Sequence, residues 1–517
     1  MNRFSPRAWR RFVGVAVVLC ALMLLAPRPA LAQTTPEPAD ANRRQLVLVV
    51  RFAGDATGDG ATGLNAAYPY GGAYRTQYES FLRDLNGEVS SKTTLQTLYS
   101  YIKTVSLGQC RLASVTPQYD ASTGRVAYLT LPGSRGSYRA SESIAADAVK
   151  AFSAAYPAFD ASVLDGNGDG LADNVLVVPE TGSSVPQVGD ACWPRRSNLG
   201  APVSLGSSGV RAFDYTLVDT THLAGVGTVA HETLHVFGAR DLYRGGSAEI
   251  SQGSNMPVGV WDIMAQHGGS KLMWPLAITR ADCGWLPLDT VDAGTYTLAA
   301  PGSGRQAVAV RSPLSDSEYF VLEYRRANTD ITDLSALDTS QEGSLMTIGG
   351  SGLIVYRVNP VAKPEGNKGD KDYVYLFRSG ETGGPRGNGT GDIRHCQLSL
   401  GGRESLGSQD LSLGLEDGAI TLSDGQNSGL VVRVTGQTDN SVTFAVTKPS
   451  SADAGLWTRA TDGSGACPLP STNVVSSDVA ASGPSVLQAV QTGVGSGSKV
   501  SAAVFDGTSW SSLAAVA

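Results

Sequence analysis

Apolar residues in the first half of the chain follow two different spacings. The run "LVLVVRF" at 46–52 is short and β-branched, which predicts a buried strand and not a helix. "RVAYLTL" at 125–131 and "NVLVVPE" at 174–180 predict two further strands. Two other segments repeat apolar residues at helical spacing: Leu95, Leu98, Ile102 and Val105, then Ile144, Ala148, Phe152 and Ala155. This mixture predicts an α/β (α+β) domain over 45–285.

The pattern changes after Trp285, where short β segments alternate with Gly, Asp, Asn and Ser. Regular short strands with turn residues predict an antiparallel β-sandwich or barrel, and we assign a β-sandwich domain to 286–448. Residues 449–517 are rich in Ser, Gly, Ala and Val, and either a tail or an incomplete β module would have this composition. The predicted strands are "GTYTLAA", "QAVAVRS", "EYFVLEYRR", "GLIVYRVNP", "DYVYLFRS", "GAITLSD", "GLVVRVTG" and "SVTFAVT".

The N-terminus has the features of a secretory signal peptide. Four arginines precede an apolar run from Phe12 to Ala26, and "PALA" ends at Ala32. An apolar run of this length is too short to span a bilayer. We therefore expect residues 1–32 to be a signal peptide and 33–44 a polar tether. The protein is expected to be secreted, either extracellular or retained in the periplasm.

The net charge bears on the partners of the protein, and the number of cysteines bears on its disulfides. Removing residues 1–32 takes away five of the 40 basic residues and leaves 47 acidic ones, so the net charge becomes −12. An acidic chain without long basic runs argues against nucleic acid or an anionic membrane as partner. Export favours disulfides, but an odd number of cysteines leaves at least one thiol free or paired outside the chain. The remaining cysteines are Cys110, Cys192, Cys283, Cys396 and Cys467.

The segment "VAHETLHVFGARDLY" at 229–243 carries the strongest chemical signal. His231 and His235 lie four residues apart, so on a helix both imidazoles project from one face. Zinc accepts imidazole nitrogens in a tetrahedral site, and a catalytic site keeps one position for water. Glu232 follows the first histidine, where its carboxylate can activate that water as general base.

A third zinc ligand is expected from beyond the helix. Gly238 permits the left-handed turn that ends a helix, and the reversed chain then brings Asp241 towards the same ion. The spacing is that of His-Glu-x-x-His-x-x-Gly-x-x-His zinc proteases, with aspartate in the last place. The alternative is a structural histidine pair that binds no metal. With so few histidines in the chain, this motif would arise by chance in few sequences.

These residues resemble the active-site helix of the immune inhibitor A family of secreted bacterial metalloproteases. "MPVGVWDIMAQHGG" at 256–269 is similar to the Trp-Asp-x-Met segment that follows it in that family. The resemblance implies a zincin fold, polypeptide substrates, zinc bound by His231, His235 and Asp241, Glu232 as base, and Met264 in a structural methionine turn. Gln266-His267 departs from the family pattern; we expect His267 to be an exposed loop histidine, with a place near the cleft as the alternative.

A second ion site is predicted in "DGNGDGLAD" at 165–173. Calcium takes six to eight oxygen ligands, and this segment supplies alternate oxygens with Gly170 at a sharp turn. Leu176 stands where an EF-hand has glutamate, so a complete EF-hand is excluded, and an Asp/Gly turn without an ion is the alternative. The expected calcium ligands are Asp165, Asn167, Asp169, Asp173 and the carbonyl of Leu171.

Together these features predict an exported, monomeric zinc metalloendopeptidase that acts on proteins or peptides, with structural calcium. A secreted binding or adhesion protein with a non-catalytic zincin domain is the main alternative, because zinc alone does not prove catalysis. Glu232 separates the two, since a purely structural zinc would not need a carboxylate beside an open position. A zinc hydrolase acting on small esters or sugars is disfavoured only by the resemblance.

Overall fold

The computed structural model describes most of the chain between residues 38 and 449, and the backbone of four strands beyond it. The predicted signal peptide 1–32, most of the tether and Cys467 lie outside the described residues. The described residues are 38, 40–55, 64, 76–87, 96–182, 184–224, 226–244, 256–267, 272–312, 314–328, 337–338, 347–378 and 392–449, then 474–482, 485–492, 499–505 and 514–515.

The first half of the chain is a mixed α/β structure built on a six-stranded sheet. β1 lies inside the sheet and pairs in parallel with β2, β5 and β6, while β7 forms an antiparallel edge against β8. The strands of this half are β1 (Arg43–Arg51), β2 (Leu112–Val115), β3 (Tyr119–Asp120), β4 (Arg125–Val126), β5 (Leu129–Thr130), β6 (Val175–Pro179), β7 (Arg195–Ser204) and β8 (Arg211–Leu217); β3 and β4 form a separate hairpin.

Strand β1 starts inside the segment predicted to be a polar tether. Arg43 pairs with Leu112 in the register of β2, and its guanidinium contacts Asp173 at 3.1 Å. The boundary predicted at residue 44 is therefore wrong by two residues, because backbone pairing and a distant carboxylate hold polar residues that the local pattern assigns to a loop.

The described residues contain five α-helices, which pack against this sheet and against the region after it. Alternate residues of β1 face two different apolar clusters, one containing Val47 and Val49 and the other Leu46 and Leu48. A parallel strand covered on both faces is apolar throughout, as the run at 46–52 predicted. The helices are α1 (Gln77–Asn86), α2 (Leu98–Val105), α3 (Ser141–Ala155), α4 (Val226–Val236) and α5 (Ala277–Asp282). Helix α3 packs on one side of the sheet, and α1, α2 and α4 on the other.

The described residues between 290 and 447 form two mainly antiparallel sheets that share a buried apolar cluster. One sheet has the order β10-β17-β16-β15 and the other β14-β13-β12-β11-β9. These strands are β9 (Thr290–Val291), β10 (Gly294–Ala299), β11 (Ala307–Arg311), β12 (Tyr319–Arg325), β13 (Gly352–Val358), β14 (Val374–Leu376), β15 (Ser405–Gly407), β16 (Val431–Thr438) and β17 (Ser441–Thr447).

Seven of the eight predicted β segments in this half contain a strand, but "GAITLSD" at 418–424 does not. Its residues form only an isolated bridge between Thr421 and Asn427. The Leu422 N–H donates to the Gln426 carbonyl at 2.8 Å, so the Asp-Gly turn closes the segment on itself. The prediction of a strand there is wrong because turn chemistry outweighs the apolar run.

The two halves are joined by a continuous core. The sheet of β9 and β11–β14 is buried on both faces: Leu353 and Val355 face the cluster shared with the other sheet, whereas Ile354 and Tyr356 join the cluster around α4. The predicted boundary at residue 285 is crossed by this packing, so side chains from the second half can reach a site built on α4.

Beyond residue 473 the described backbone forms a four-stranded antiparallel sheet, which favours a β module over a tail. Its strands are β18 (Val474–Ser482), β19 (Ser485–Thr492), β20 (Lys499–Phe505) and β21 (Ala514–Ala515). Within the described residues, none of the helices has the length and apolarity to cross a membrane. Cys110, Cys192, Cys283 and Cys396 are free thiols in this structure.

Candidate metal centre

Helix α4 places the two histidines one turn apart next to the core. Val229 and Leu234 are buried in the apolar cluster under the sheet, which fixes the rotation of the helix. The rings of His231 and His235 are consequently neighbours, with centroids 4.9 Å apart and planes at 90°. The helical spacing of the sequence thus brings both imidazoles to one side.

Gly227 near the start of α4 allows another segment to come close. A Cβ atom at this position would lie 2.1 Å from the His267 carbonyl oxygen. The glycine that weakens the helix locally is therefore needed for a close backbone approach. This contact brings the segment after Met264 against α4.

The helix ends in the turn that the sequence predicted. Gly238 has a φ of +105°, the conformation that ends helices and favours glycine. Because the chain reverses here, the Ala239 carbonyl accepts a hydrogen bond from Nδ1 of His235 at 2.9 Å. The terminating turn thus orients the second imidazole as well as redirecting the chain.

The other imidazole is held in the same way by a different segment. Nδ1 of His231 donates to the Ile263 carbonyl at 3.0 Å. A carbonyl oxygen can only accept, so both Nδ1 atoms carry hydrogen, and Nε2 is the atom that each ring has left to bind a metal. Outer hydrogen bonds of this kind fix the tautomer and orientation of metal-ligating histidines.

Asp241 completes a compact group of three donors. Its Oδ1 lies 3.1 Å from His231 Nε2 and 3.2 Å from His235 Nε2, and ligand atoms of all three residues lie within 4.8 Å of one another. In a tetrahedral site with bonds of about 2.0–2.1 Å, ligand atoms are about 3.3 Å apart. The buried Oδ1 has no hydrogen-bond partner among the described residues, so the group fits a dication that all three donors would bind.

Charges in this group influence one another strongly. Burial alone would raise the pKa of Asp241. The two imidazoles lower this pKa by more than burial raises it, so the net pKa lies far below its usual range. Burial opposes protonation of His231, yet Asp241 and Glu232 raise its pKa above the usual value. The carboxylates that favour a proton on His231 would favour a dication at the same place.

Glu232 is buried beside this group. None of the described residues donates a hydrogen bond to its carboxyl. The residue is 6% exposed, and burial raises the pKa of its carboxyl. The imidazoles, Asp241 and Lys368 are all close enough to act on it electrostatically. A carboxyl of this kind can accept a proton near neutral pH more readily than a solvated one.

Met264 lies in a turn that supports both ligand segments. Its N–H donates to Oδ1 of buried Asp262 at 2.7 Å, and its carbonyl accepts from the Leu242 N–H at 3.0 Å. The preceding carbonyl, of Ile263, holds His231. Burial raises the pKa of Asp262 to about 6, while Thr279 and two backbone N–H groups stabilise its charged form.

The expectation that His267 is an exposed loop histidine is wrong. Its ring lies 4.1 Å, centroid to centroid, from that of His231, and its Nδ1 is buried without a partner among the described residues. Burial, together with nearby His231, holds the pKa of His267 well below the usual value, so this ring is neutral. The contact depends on Gly227, which nothing in the local sequence around residue 267 reveals.

The sequence also failed to identify two polar contacts near the site. Lys368, from the loop between β13 and β14, contacts Asp241 Oδ2 at 2.5 Å. His222, just before α4, pairs through Nδ1 with the fully buried Asp219 at 2.5 Å, and its ring meets that of Trp193 edge to face. Lys368 is 127 positions beyond Asp241, so no local motif could have signalled it.

The predicted calcium ligands form a loop rich in internal hydrogen bonds. Asp165 accepts from the N–H groups of Gly168, Asp169 and Gly170, and Asp173 pairs with Arg43. Among the described residues, the carboxylates of this loop do not form a group of three as close as that around Asp241. The remaining predicted ligands are Asn167, whose amide donates to Asp169, and Leu171, whose N–H donates to Asp169. Calcium binding remains a prediction.

No family model matches this chain, and no curated protein is similar enough to count as a relative.

Proposed function

We propose that the protein is an exported zinc-dependent endopeptidase, with a zincin-type catalytic domain followed by a β-sandwich. The observation that carries this proposal is the convergence of His231, His235 and Asp241 next to the buried carboxyl of Glu232. A structural zinc site would be expected to use four protein ligands, whereas three converge here among the residues that the structure describes.

The donor set suits zinc, because two neutral imidazoles and one carboxylate are common ligands of catalytic zinc. When bound, zinc supplies a Lewis acid that polarises a carbonyl and lowers the pKa of water at the open position. His231 and His235 hold their Nε2 lone pairs towards the site because their Nδ1 atoms donate to backbone carbonyls. Asp241 offsets part of the metal's charge.

Glu232 is the residue proposed to move the proton. Its burial raises the pKa, which makes the carboxylate a better base than one in water. During hydrolysis of a peptide bond it would take a proton from the attacking water and then give it to the leaving amine. The glutamate does not occupy a ligand position, so metal binding and proton transfer are separable by mutation.

A polypeptide substrate is supported by the edge strand next to α4. Among the described residues, strand β7 is the last strand of its sheet, and it contacts α4. An extended peptide can add to such an edge through backbone hydrogen bonds, which a small ester or sugar cannot do. Trp193, just before β7, contacts His222, which lies just before the start of α4.

The test compares the mature protein with its Glu232→Gln variant, in which the side chain keeps its size but cannot accept the proton. We expect wild-type protein with zinc to cleave casein, and the variant to bind one zinc while turnover falls by about 10²-fold or more. His235→Ala is the matched control, which should lose both zinc and cleavage. Equal cleavage by Glu232→Gln would remove Glu232 from the mechanism, and a zinc-loaded wild type that cleaves nothing would favour the binding or adhesion protein.

A further inference from the structure

The third ligand lies where α4 has already ended, and the contacts that hold it come from the second half of the chain. The residues involved form the 366–372 loop, between β13 and β14. Lys368 Nζ contacts Oδ2 of Asp241 at 2.5 Å, while Oδ1 faces the two imidazoles. The two oxygens of one carboxylate therefore have different neighbours: the ammonium group of Lys368 on one side and the imidazoles of His231 and His235 on the other.

The backbone around Asp241 is held by the same loop. The Asn367 N–H donates to the Asp241 carbonyl at 2.9 Å, and Asn367 Nδ2 donates to the Leu242 carbonyl at 3.0 Å. Asn367 is fully buried and is itself fixed by two hydrogen bonds to Val374 in β14. Gly366, with a φ of +61° and a ψ of −134°, allows this approach, because a Cβ there would lie 2.3 Å from the Asp241 carbonyl.

Two further contacts join the segments around Asp241 and Met264 to the second half of the chain. Arg244 forms a buried two-point ion pair with Asp372. The Trp261 carbonyl, near the methionine turn, accepts from Arg325 of β12 at 2.7 Å. Both segments that support the imidazoles and Asp241 are thus anchored to the second half of the chain.

We propose that Lys368 and Asn367 are positioning residues of the metal centre, which hold Asp241 as a one-oxygen ligand and make the site dependent on the second half of the chain. This inference rests on the proposed metal site. With Oδ2 bound to Lys368, only Oδ1 is free to bind a metal, which leaves room for water. Asn367 fixes the backbone from which the carboxylate projects, and Lys368 fixes its rotation.

Two physical effects of Lys368 have opposite signs, which makes its role testable. A nearby ammonium repels a dication, so an ammonium acting only through its charge would weaken zinc binding, and its removal would strengthen it. An ammonium that orients the ligand would strengthen zinc binding, and loss of such an outer contact typically costs about 10- to 100-fold in metal affinity. The direction of the change separates the two.

The experiment measures Zn²⁺ affinity of the full mature chain by competition with a chromophoric chelator. Lys368→Met keeps the length of the side chain and removes its charge, and we expect about 10-fold weaker zinc binding or more. Lys368→Arg should recover part of the affinity because it can still donate to Oδ2. Lys363→Met is the matched control: Lys363 lies just before the loop, pairs with Asp282 and is 40% exposed, compared with 45% for Lys368. Its zinc affinity should equal that of the wild type.

A second readout uses Co²⁺ in place of zinc. If Asp241 gains freedom to bind through both oxygens in Lys368→Met, the coordination number rises and the visible absorption bands of cobalt weaken. Unchanged or tighter zinc binding with an unchanged cobalt spectrum would overturn the positioning role. These readouts need no proteolysis, so a wild type that binds zinc but cleaves nothing would refute the peptidase proposal alone, whereas a wild type that binds no zinc would overturn both.

Discussion

Replacing Gly227 with alanine tests whether the segment after the methionine turn truly packs against α4. In an exposed helix this change would stabilise the protein by about 0.8–1.0 kcal/mol, since alanine has the higher helix propensity. Here the new Cβ would lie 2.1 Å from the His267 carbonyl oxygen. Ordinary carbon–oxygen contacts are about 3.3 Å or longer, so the backbone must move by about 1 Å.

This displacement should outweigh the gain in propensity. Forcing a methyl group into a packed core typically costs about 1–3 kcal/mol. We expect a net loss of up to about 2 kcal/mol in the free energy of unfolding, which corresponds to a Tm that is lower by at most a few degrees. Zinc affinity should fall as well, because the same movement shifts His267 against the ring of His231.

Thermal unfolding followed by circular dichroism, with and without zinc, measures both effects. Thr228→Ala is the control in the same helix; it is only partly buried and should change stability by a few tenths of a kcal/mol. A Gly227→Ala protein that is more stable than wild type, with unchanged zinc affinity, would refute the close contact between α4 and residue 267.

Three further predictions concern other parts of the chain. Gly366→Ala should weaken zinc binding, because its Cβ would meet the backbone carbonyl of Asp241. Gly401→Ala is the control: at a φ of +79° and in open space, it should cost only about 1 kcal/mol of stability and leave zinc affinity unchanged. Competition with a chelator measures the zinc affinity of both variants. Burial raises the pKa of Cys192 to about 12, so at pH 8 its native thiol should be alkylated about 10³-fold more slowly than in denaturant, with a rate that rises with pH; fast labelling detected by mass spectrometry would contradict this. Asp169→Ala should lower Tm only in the presence of calcium, while Asp410→Ala, in a comparable turn, should show no calcium dependence; equal effects with and without calcium would identify the 165–173 loop as an ordinary turn.

The local parts of the candidate site could be predicted from the sequence because their geometry is local. The four-residue spacing of His231 and His235 and the turn at Gly238 follow from helix geometry and from the backbone freedom of glycine. Asp241 is close enough to that turn for its direction to be inferred from the spacing. Strands β1 and β6 could likewise be predicted, since their apolar runs are buried on both faces.

The rest of the site depends on contacts between distant parts of the chain. Lys368 reaches Asp241 only because β13 and β14 pack against the cluster around α4, and no pattern near residue 368 encodes that packing. The sequence predicts an exposed loop at His267 because its neighbours in sequence are polar or glycine, whereas its neighbours in space are His231 and Gly227. The boundary near Arg43 was misplaced for a similar reason, because its partner Asp173 is distant in sequence.

The most direct test of the account is metal analysis of the purified mature protein combined with a cleavage assay. We predict one zinc per chain, loss of casein cleavage when a chelator removes it, and recovery when zinc returns, with neither bound zinc nor cleavage in His235→Ala. Two imidazoles and one carboxylate are also the ligands of non-haem iron sites, so the identity of the metal is informative. Stoichiometric iron, no bound metal, or cleavage that persists in chelator would contradict the proposed zinc peptidase.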